Sequence, residues 1–249
     1  MRETGRRFGR RAVVAMVLSL VVAGLVWVAP RLLEQAGLDR TALPWTAPCS
    51  VRVGAESVPL SQDEAKLATT AVALEARGED PPETRDIDPA VLDRLREGPP
   101  DDAGPSLTCR ASPAGGLAEE EMTASGLTPR AENVRAAMVE VFGEQSLGGF
   151  APGGIDEGHG EDSAHYEGRA VDVFYRPVNE ENRRAGWLLA HWLVAHAEDL
   201  RIAVVIFDDR IWSVRGSMAG WRDYNSPDPD NEILRHLDHV HVDVQRGNE

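Results

Sequence analysis

Residues 236–244 read HLDHVHVDV, in which valine takes every second position from 240 to 244. Because successive side chains of a β-strand point to opposite faces, this alternation predicts a strand with one apolar and one polar face. His239, His241 and Asp243 share the polar face. Two histidines so placed indicate a metal site, because catalytic zinc sites commonly use three ligands from His, Asp and Glu.

A second stretch, SAHYEGRAVDV at residues 163–173, supplies His165 and Asp172. Their separation of seven positions is more than ~20 Å along a straight strand, so they can share a metal only if the chain turns between them. Gly168 permits that turn, and the residues after it predict a buried strand. An ionised carboxylate in such a strand requires a cation or several hydrogen-bond donors. If the two strands are neighbours, one imidazole of residues 236–244 reaches Asp172.

A polar patch without metal is the alternative, with the histidines hydrogen-bonded and Asp172 capping a turn. The other histidines are weaker candidates as ligands. His159 lies in a glycine-rich loop, and His236 is a candidate for a position behind the ligands. His191 and His196 lie on a predicted long helix and are expected to face solvent.

The charge of the chain argues against a nucleic-acid partner. It carries 26 Lys and Arg against 41 Asp and Glu, a net charge of -15, and five arginines fall within residues 2–11. Binding to phosphates requires a basic face, which the remainder of the chain does not offer. The acidity is typical of a solvated domain outside the cell.

Residues 12–30 carry no charged side chain and are long enough to cross a bilayer as a helix. The arginines of residues 1–11 would form a cytoplasmic basic tail. This pattern predicts a single-pass protein of the plasma membrane with its C-terminal part extracytoplasmic. Secretion after cleavage of a signal peptide is the alternative.

Cys49 and Cys109 are the two cysteines of the chain. An even cysteine count in an exported protein favours a disulfide, and two unrelated buried thiols are the alternative. Residues 31–110 are interpreted as an extracytoplasmic stalk or accessory segment, and residues 111–127 as a linker. Within the segment, Ser61 and Glu64 form a capping box that predicts a helix.

Residues 128–246 predict a small α+β domain, an antiparallel sheet with flanking helices. Thr128 caps a helix that reaches about Phe142, and residues 179–200 form an amphipathic helix. Two apolar runs within residues 202–214 predict a hairpin.

His165-x6-Asp172 followed by DHVH at residues 238–241 resembles the LAS group of zinc metallopeptidases. That M15-like group includes D-Ala-D-Ala carboxypeptidases and dipeptidases and peptidoglycan endopeptidases. The stretches GLTPRAENVRAAMVEVFG, AHYEGRAVDV, VIFDDRIWSVR and HLDHVHVDV look like a C-terminal domain of secreted or anchored cell-wall proteins of high-GC bacteria. The likeness covers roughly residues 127–245.

The resemblance implies a LAS/hedgehog-like zinc fold with His165, Asp172 and His241 as ligands of zinc (Zn2+). A water held there would attack a peptide bond of peptidoglycan or wall peptides. Asp238 would be the general base, and His239 would stabilise the oxyanion.

The sequence departs from the family in two positions. Many members use a glutamate as the general base, and Asp238 is one methylene shorter. Many members carry an arginine where Ala151 stands here, in GGFAPGG. Arg169, Trp221 and Arg222 are candidates for binding the substrate instead. Three functions are therefore considered: a membrane-anchored zinc peptidase, a non-catalytic wall-binding or regulatory module stabilised by zinc, and a metal-free interaction domain. The sequence does not indicate a protein partner.

Overall fold

The computed structural model describes residues 47–100 and 104–247. The predicted basic tail and membrane anchor, residues 1–30, lie outside this part of the chain. Within the described residues, no helix combines the length and the apolar character needed to cross a membrane.

The N-terminal part of the described chain forms a small antiparallel sheet covered by two helices. Its elements are β1 (Cys49–Val53), β2 (Glu56–Leu60), α1 (Gln62–Ala76), α2 (Pro89–Glu97) and β3 (Leu107–Cys109), with strand order β2-β1-β3. The predicted capping box is confirmed, since Ser61 accepts from the backbone of Glu64 and the Glu64 carboxylate accepts from the backbone of Ser61. The predicted disulfide is also confirmed: Cys49 and Cys109 are directly opposite one another in β1 and β3 and are bonded.

The C-terminal part is built on a larger antiparallel sheet. Its elements are α3 (Pro129–Phe142), β4 (Leu147–Gly148), β5 (Ala170–Phe174), α4 (Glu180–Ala195), β6 (Ile202–Phe207), β7 (Arg210–Ser213), β8 (Arg222–Asp223) and β9 (His239–Val244). Two 3-10 turns, Ala164–Glu167 and Val214–Ala219, connect them. The strand order is β4-β5-β9-β6-β7-β8, and each neighbouring pair is antiparallel. The predicted α+β class, with an antiparallel sheet and flanking helices, is confirmed.

Both parts share one hydrophobic core. The apolar face of β9 is buried against it, with Val240, Val242 and Val244 almost completely inaccessible. Trp187 of α4 and Val91 of α2 belong to the same cluster of buried residues. Residues Ala47–Glu249 form one compact unit. The described residues up to 110 therefore pack with the C-terminal part.

The expectation that His191 faces solvent is wrong. Its side chain is fully buried on α4, and its Nε2 accepts the backbone N–H groups of Ser106 and Leu107 at 3.2 and 3.3 Å. Burial lowers the pKa of His191 to about 3, so the ring is neutral and can accept. β3 covers the side of α4 that would face solvent in an isolated domain, and the helical pattern alone does not reveal this contact.

Candidate metal centre

The 3-10 turn Ala164–Glu167 brings His165 back over β5. The side chain of Ser163 caps this turn at its N-terminus, and Gly168 ends it in the left-handed region at φ 65. A backbone hydrogen bond of 2.9 Å from Arg169 to Ala164 closes the loop. The turn expected at Gly168 is therefore present, and His165 lies near Asp172 despite their separation along the chain.

Strand pairing brings the remaining ligand candidates together. Asp172 of β5 is directly opposite His241 of β9, and Phe174 is opposite His239. Opposite residues of an antiparallel pair point to the same face of the sheet. The expected neighbourhood of the two strands is confirmed.

Three side-chain atoms form a compact triangle on this face. His165 Nε2 lies 3.0 Å from His241 Nδ1 and 3.2 Å from Asp172 Oδ1. The third edge, between His241 Nδ1 and Asp172 Oδ1, is 3.0 Å. Zinc–ligand bonds of about 2.0–2.1 Å in a tetrahedron separate the ligand atoms by about 3.3–3.4 Å. The observed edges are within a few tenths of an ångström of that value, and all three residues are buried.

Hydrogen bonds behind the imidazoles determine which nitrogens face inward. His165 donates from Nδ1 to the carbonyl of Gly149 at 2.7 Å, and His241 donates from Nε2 to the carboxylate of Asp243 at 2.7 Å. The opposite nitrogens, Nε2 of His165 and Nδ1 of His241, therefore point at each other and at Asp172. Such outer partners commonly fix the orientation of histidine ligands in metal sites. Two ring nitrogens and a carboxylate oxygen that converge at about 3 Å fit a cation between them.

The electrostatics of the cluster also favour positive charge at its centre. Burial raises the pKa of the Asp172 carboxyl, but hydrogen bonds from His165 and His241 outweigh it and hold the pKa far below its usual range. Burial lowers the pKa of His241, yet the carboxylates of Asp243 and Asp172 prevail and raise the pKa to about 10. A proton on His241 thus offsets the negative charge of the two carboxylates, as a bound metal ion would.

His239 lies beside the triangle, with Asp238 behind it. His239 Nε2 is 3.8 Å from Asp172 Oδ1, and its Nδ1 donates to Asp238 Oδ1 at 2.7 Å. The other carboxylate oxygen of Asp238 accepts from Nε of Arg176 at 2.6 Å. Asp238, interpreted from the sequence as a general base, therefore directs its oxygens to His239 and Arg176. Sequence reasoning missed Arg176, although its position just beyond β5 was a usable signal.

His159 is a second residue that sequence reasoning passed over. Its ring stacks on that of His165 with centroids 3.9 Å apart. Potential ligand atoms of His159, His165 and Asp172 all lie within 4.8 Å of one another, which makes these three a possible metal-binding group. A glycine-rich loop gives no periodic signal, so the sequence could not place His159 here.

His236 packs over the other side of the cluster. Its ring centroid is 4.7 Å from that of His239 and 5.6 Å from that of His241, and Tyr224 packs edge-on against it at 4.9 Å. Burial and the neighbouring imidazoles lower the pKa of His236 to about 3. The expected place of His236 behind the ligands agrees with these contacts.

Arg169 is held by structural contacts. Its Nε pairs with Glu167 at 2.5 Å and its Nη1 donates to the carbonyl of Val244 at 2.7 Å. The backbone carbonyl of Ala151 accepts a hydrogen bond of 2.9 Å from the N–H of Gly154 within its own loop.

Trp221 and Arg222 are placed at the far side of the sheet. Trp221 donates to the carbonyl of Leu107 at 2.9 Å, and Arg222 donates to the hydroxyl of Ser213 at 3.0 Å. Arg222 is on β8, which is three strands from His241 of β9, or about 14 Å at the usual strand spacing. Neither contact joins these residues to the triangle.

Comparison with known protein families gives a match to part of the chain. A family model described as “VldE, C-terminal domain” matches residues 123–233. The matched range contains His159, His165 and Asp172 and ends before β9. The comparisons with curated proteins and with solved structures give no match.

Proposed function

We propose that His165, Asp172 and His241 hold zinc in a LAS/hedgehog-like domain that hydrolyses peptide bonds in peptidoglycan peptides. The observation that carries the proposal is the triangle of ligand atoms, with both imidazoles oriented by hydrogen bonds from behind. Imidazole and carboxylate ligands suit zinc, and a site with three protein ligands keeps a fourth position for water or substrate.

Bound zinc supplies a Lewis acid and lowers the pKa of a water to about 7. The contribution of the chain centres on Nε2 of His239, which is directed toward the triangle because Nδ1 is engaged with Asp238. We assign to this nitrogen the transfer of a proton during hydrolysis, or a hydrogen bond to the developing oxyanion. Asp238 orients His239, and Arg176 holds Asp238 in turn.

The proposed location is the outer side of the plasma membrane, with residues 12–30 as the anchor. The disulfide between Cys49 and Cys109 supports an oxidising compartment. The uncharged run of residues 12–30 and the arginines before it support a single membrane crossing.

A second candidate function is a non-catalytic wall-binding or regulatory module stabilised by zinc. The proximity of His159 favours it, since zinc sites with four protein ligands are usually structural. Ala151 also favours the binding module, because many LAS enzymes, which the sequence resembles, have an arginine there that holds the substrate.

The test compares the full chain, purified in mild detergent, with His241→Ala and Asp238→Ala. His196→Ala removes an imidazole bonded to the backbone of Trp192 and serves as the control. Zinc per chain is measured by elemental analysis, and release of fragments from peptidoglycan by mass spectrometry.

We expect about one zinc in the wild type and in His196→Ala, and none in His241→Ala. Asp238→Ala should keep zinc and lose hydrolysis. If the wild type binds zinc but releases no fragments, the peptidase proposal is refuted and the binding module is supported. Absence of zinc from the wild type would refute both and support the metal-free interaction domain.

A further inference from the structure

His159 lies close to the proposed zinc centre and could supply a further ligand. It is an exposed residue, yet its ring lies over His165 at 3.9 Å between centroids, with the ring planes 25° apart. One of its nitrogens is within 4.8 Å of a potential ligand atom of His165 and of one of Asp172. A displacement of about 1–2 Å would bring that nitrogen to the ~3.3 Å separation that two ligands of one zinc ion have.

The backbone of His159 is attached to the same turn that carries the first ligand. The Tyr166 hydroxyl accepts from the His159 N–H at 2.9 Å and donates to the His159 carbonyl at 2.7 Å. Tyr166 directly follows His165 in the 3-10 turn Ala164–Glu167. The two histidines are therefore held together, so the approach of His159 to the cluster depends on a specific double hydrogen bond.

The loop before His159 leaves it free to move over a short distance. Gly153 and Gly158 have φ values of +88 and +92, and a Cβ added at either would meet nothing within 4 Å. Segments with few packed contacts open at low free-energy cost. The backbone of His159 is thus attached to the Tyr166 phenol, while the loop before it can move. This arrangement suits a side chain that binds a metal reversibly.

We propose that His159 is a fourth, displaceable protein ligand of the metal held by His165, Asp172 and His241. With His159 bound, the metal would have four protein ligands, as structural zinc has; with His159 away, the fourth position would be open to a substrate oxygen. This inference rests on the proposed zinc centre. It makes the loop around His159 the element that switches the centre between the two candidate functions.

The first experiment counts ligands. The full chain in detergent is loaded with zinc or with cobalt(II), and X-ray absorption and the cobalt visible spectrum report the coordination. We expect three imidazoles in the wild type, from His159, His165 and His241, and two in His159→Ala. Glu161→Ala, an exposed change in the same loop, is the control and should match the wild type.

The second experiment measures affinities. His159→Ala should bind zinc at least ~10-fold more weakly in a chelator competition, since even loss of an outer partner of a metal costs about 10–100-fold. Acetohydroxamate, a small chelating probe, should bind the cobalt protein more tightly in His159→Ala, because the probe no longer competes with the imidazole. Tyr166→Phe retains the imidazole but removes its anchor, so it should fall between the wild type and His159→Ala in both assays.

Two imidazoles in the wild type, or equal affinities of wild type and His159→Ala for zinc and for acetohydroxamate, would overturn the role of His159 while leaving the zinc centre in place. A wild type that binds neither metal would overturn the zinc centre and this inference together. The two failures are therefore distinguishable.

Discussion

Gly149→Ala tests the proposed metal centre through sterics alone, because it removes no ligand. Gly149 has a φ of +79, and a Cβ built there would lie 2.2 Å from His165 Cε1, 2.4 Å from His165 Nδ1 and 3.0 Å from Asp172 Oδ2. Ordinary contacts of a Cβ begin near 3.4 Å. The imidazole of His165 would thus have to move by more than about 1 Å, and the Gly149 carbonyl that orients it would move as well.

Such a shift is large compared with the tolerance of a zinc bond, which is about 0.2 Å. We expect zinc affinity to fall by more than the ~100-fold that loss of an outer partner can cost, equivalent to at least about 2.7 kcal/mol. The positive φ adds a separate folding cost of roughly 1–2 kcal/mol for alanine. Gly153→Ala carries the same backbone cost at φ +88 but meets nothing within 4 Å, so it is the matched control.

The assay is a competition titration with a chromophoric chelator, with urea unfolding of the metal-free proteins beside it. Gly149→Ala should lose zinc affinity while Gly153→Ala retains it, although alanine imposes a similar backbone strain at both positions. Equal zinc affinity in the two variants would refute the reasoning, since it would mean that His165 does not need its observed position to bind metal.

Three further predictions concern the surroundings of the site and the fold. Asp243→Asn removes the negative charge of the group that accepts the hydrogen bond from His241 Nε2. This change should lower zinc affinity by about 10–100-fold in the same titration. Replacing Cys49 and Cys109 together by serine removes a cross-link across 60 positions and should cost about 4 kcal/mol in urea unfolding. With EDTA present, the raised pKa of His241, about 10 against 6.5 when unfolded, should make the unfolding free energy fall as pH rises from about 6.5 to about 10. His241→Ala should flatten that decline.

Local patterns were sufficient to predict the two strands that carry the site. The valine alternation in β9 and the glycine after the His165 turn each depend on backbone geometry within a few residues, and both predictions hold. The position of His159 depends on a tertiary contact with the Tyr166 phenol, which has no sequence period. The burial of His191 depends on β3, a strand more than eighty residues earlier in the chain. Propensity and periodicity cannot predict such contacts, because they are set by tertiary packing.

The alternation of β9 places the core valines and the candidate metal ligands on opposite faces of a single strand. The valines at 240, 242 and 244 face the core and are at most 1% exposed, whereas His239, His241 and Asp243 point to the opposite face. Loss of a core valine side chain would leave a cavity, but loss of an imidazole on the other face removes little buried apolar area. His241→Ala should therefore remain folded by circular dichroism, and its failure to bind zinc would report on coordination itself. In EDTA its free energy of unfolding should be lower than that of the wild type below about pH 10, because the charged imidazole no longer pairs with Asp172 and Asp243. An EDTA-treated variant as stable as the wild type at pH 7 would contradict this expectation.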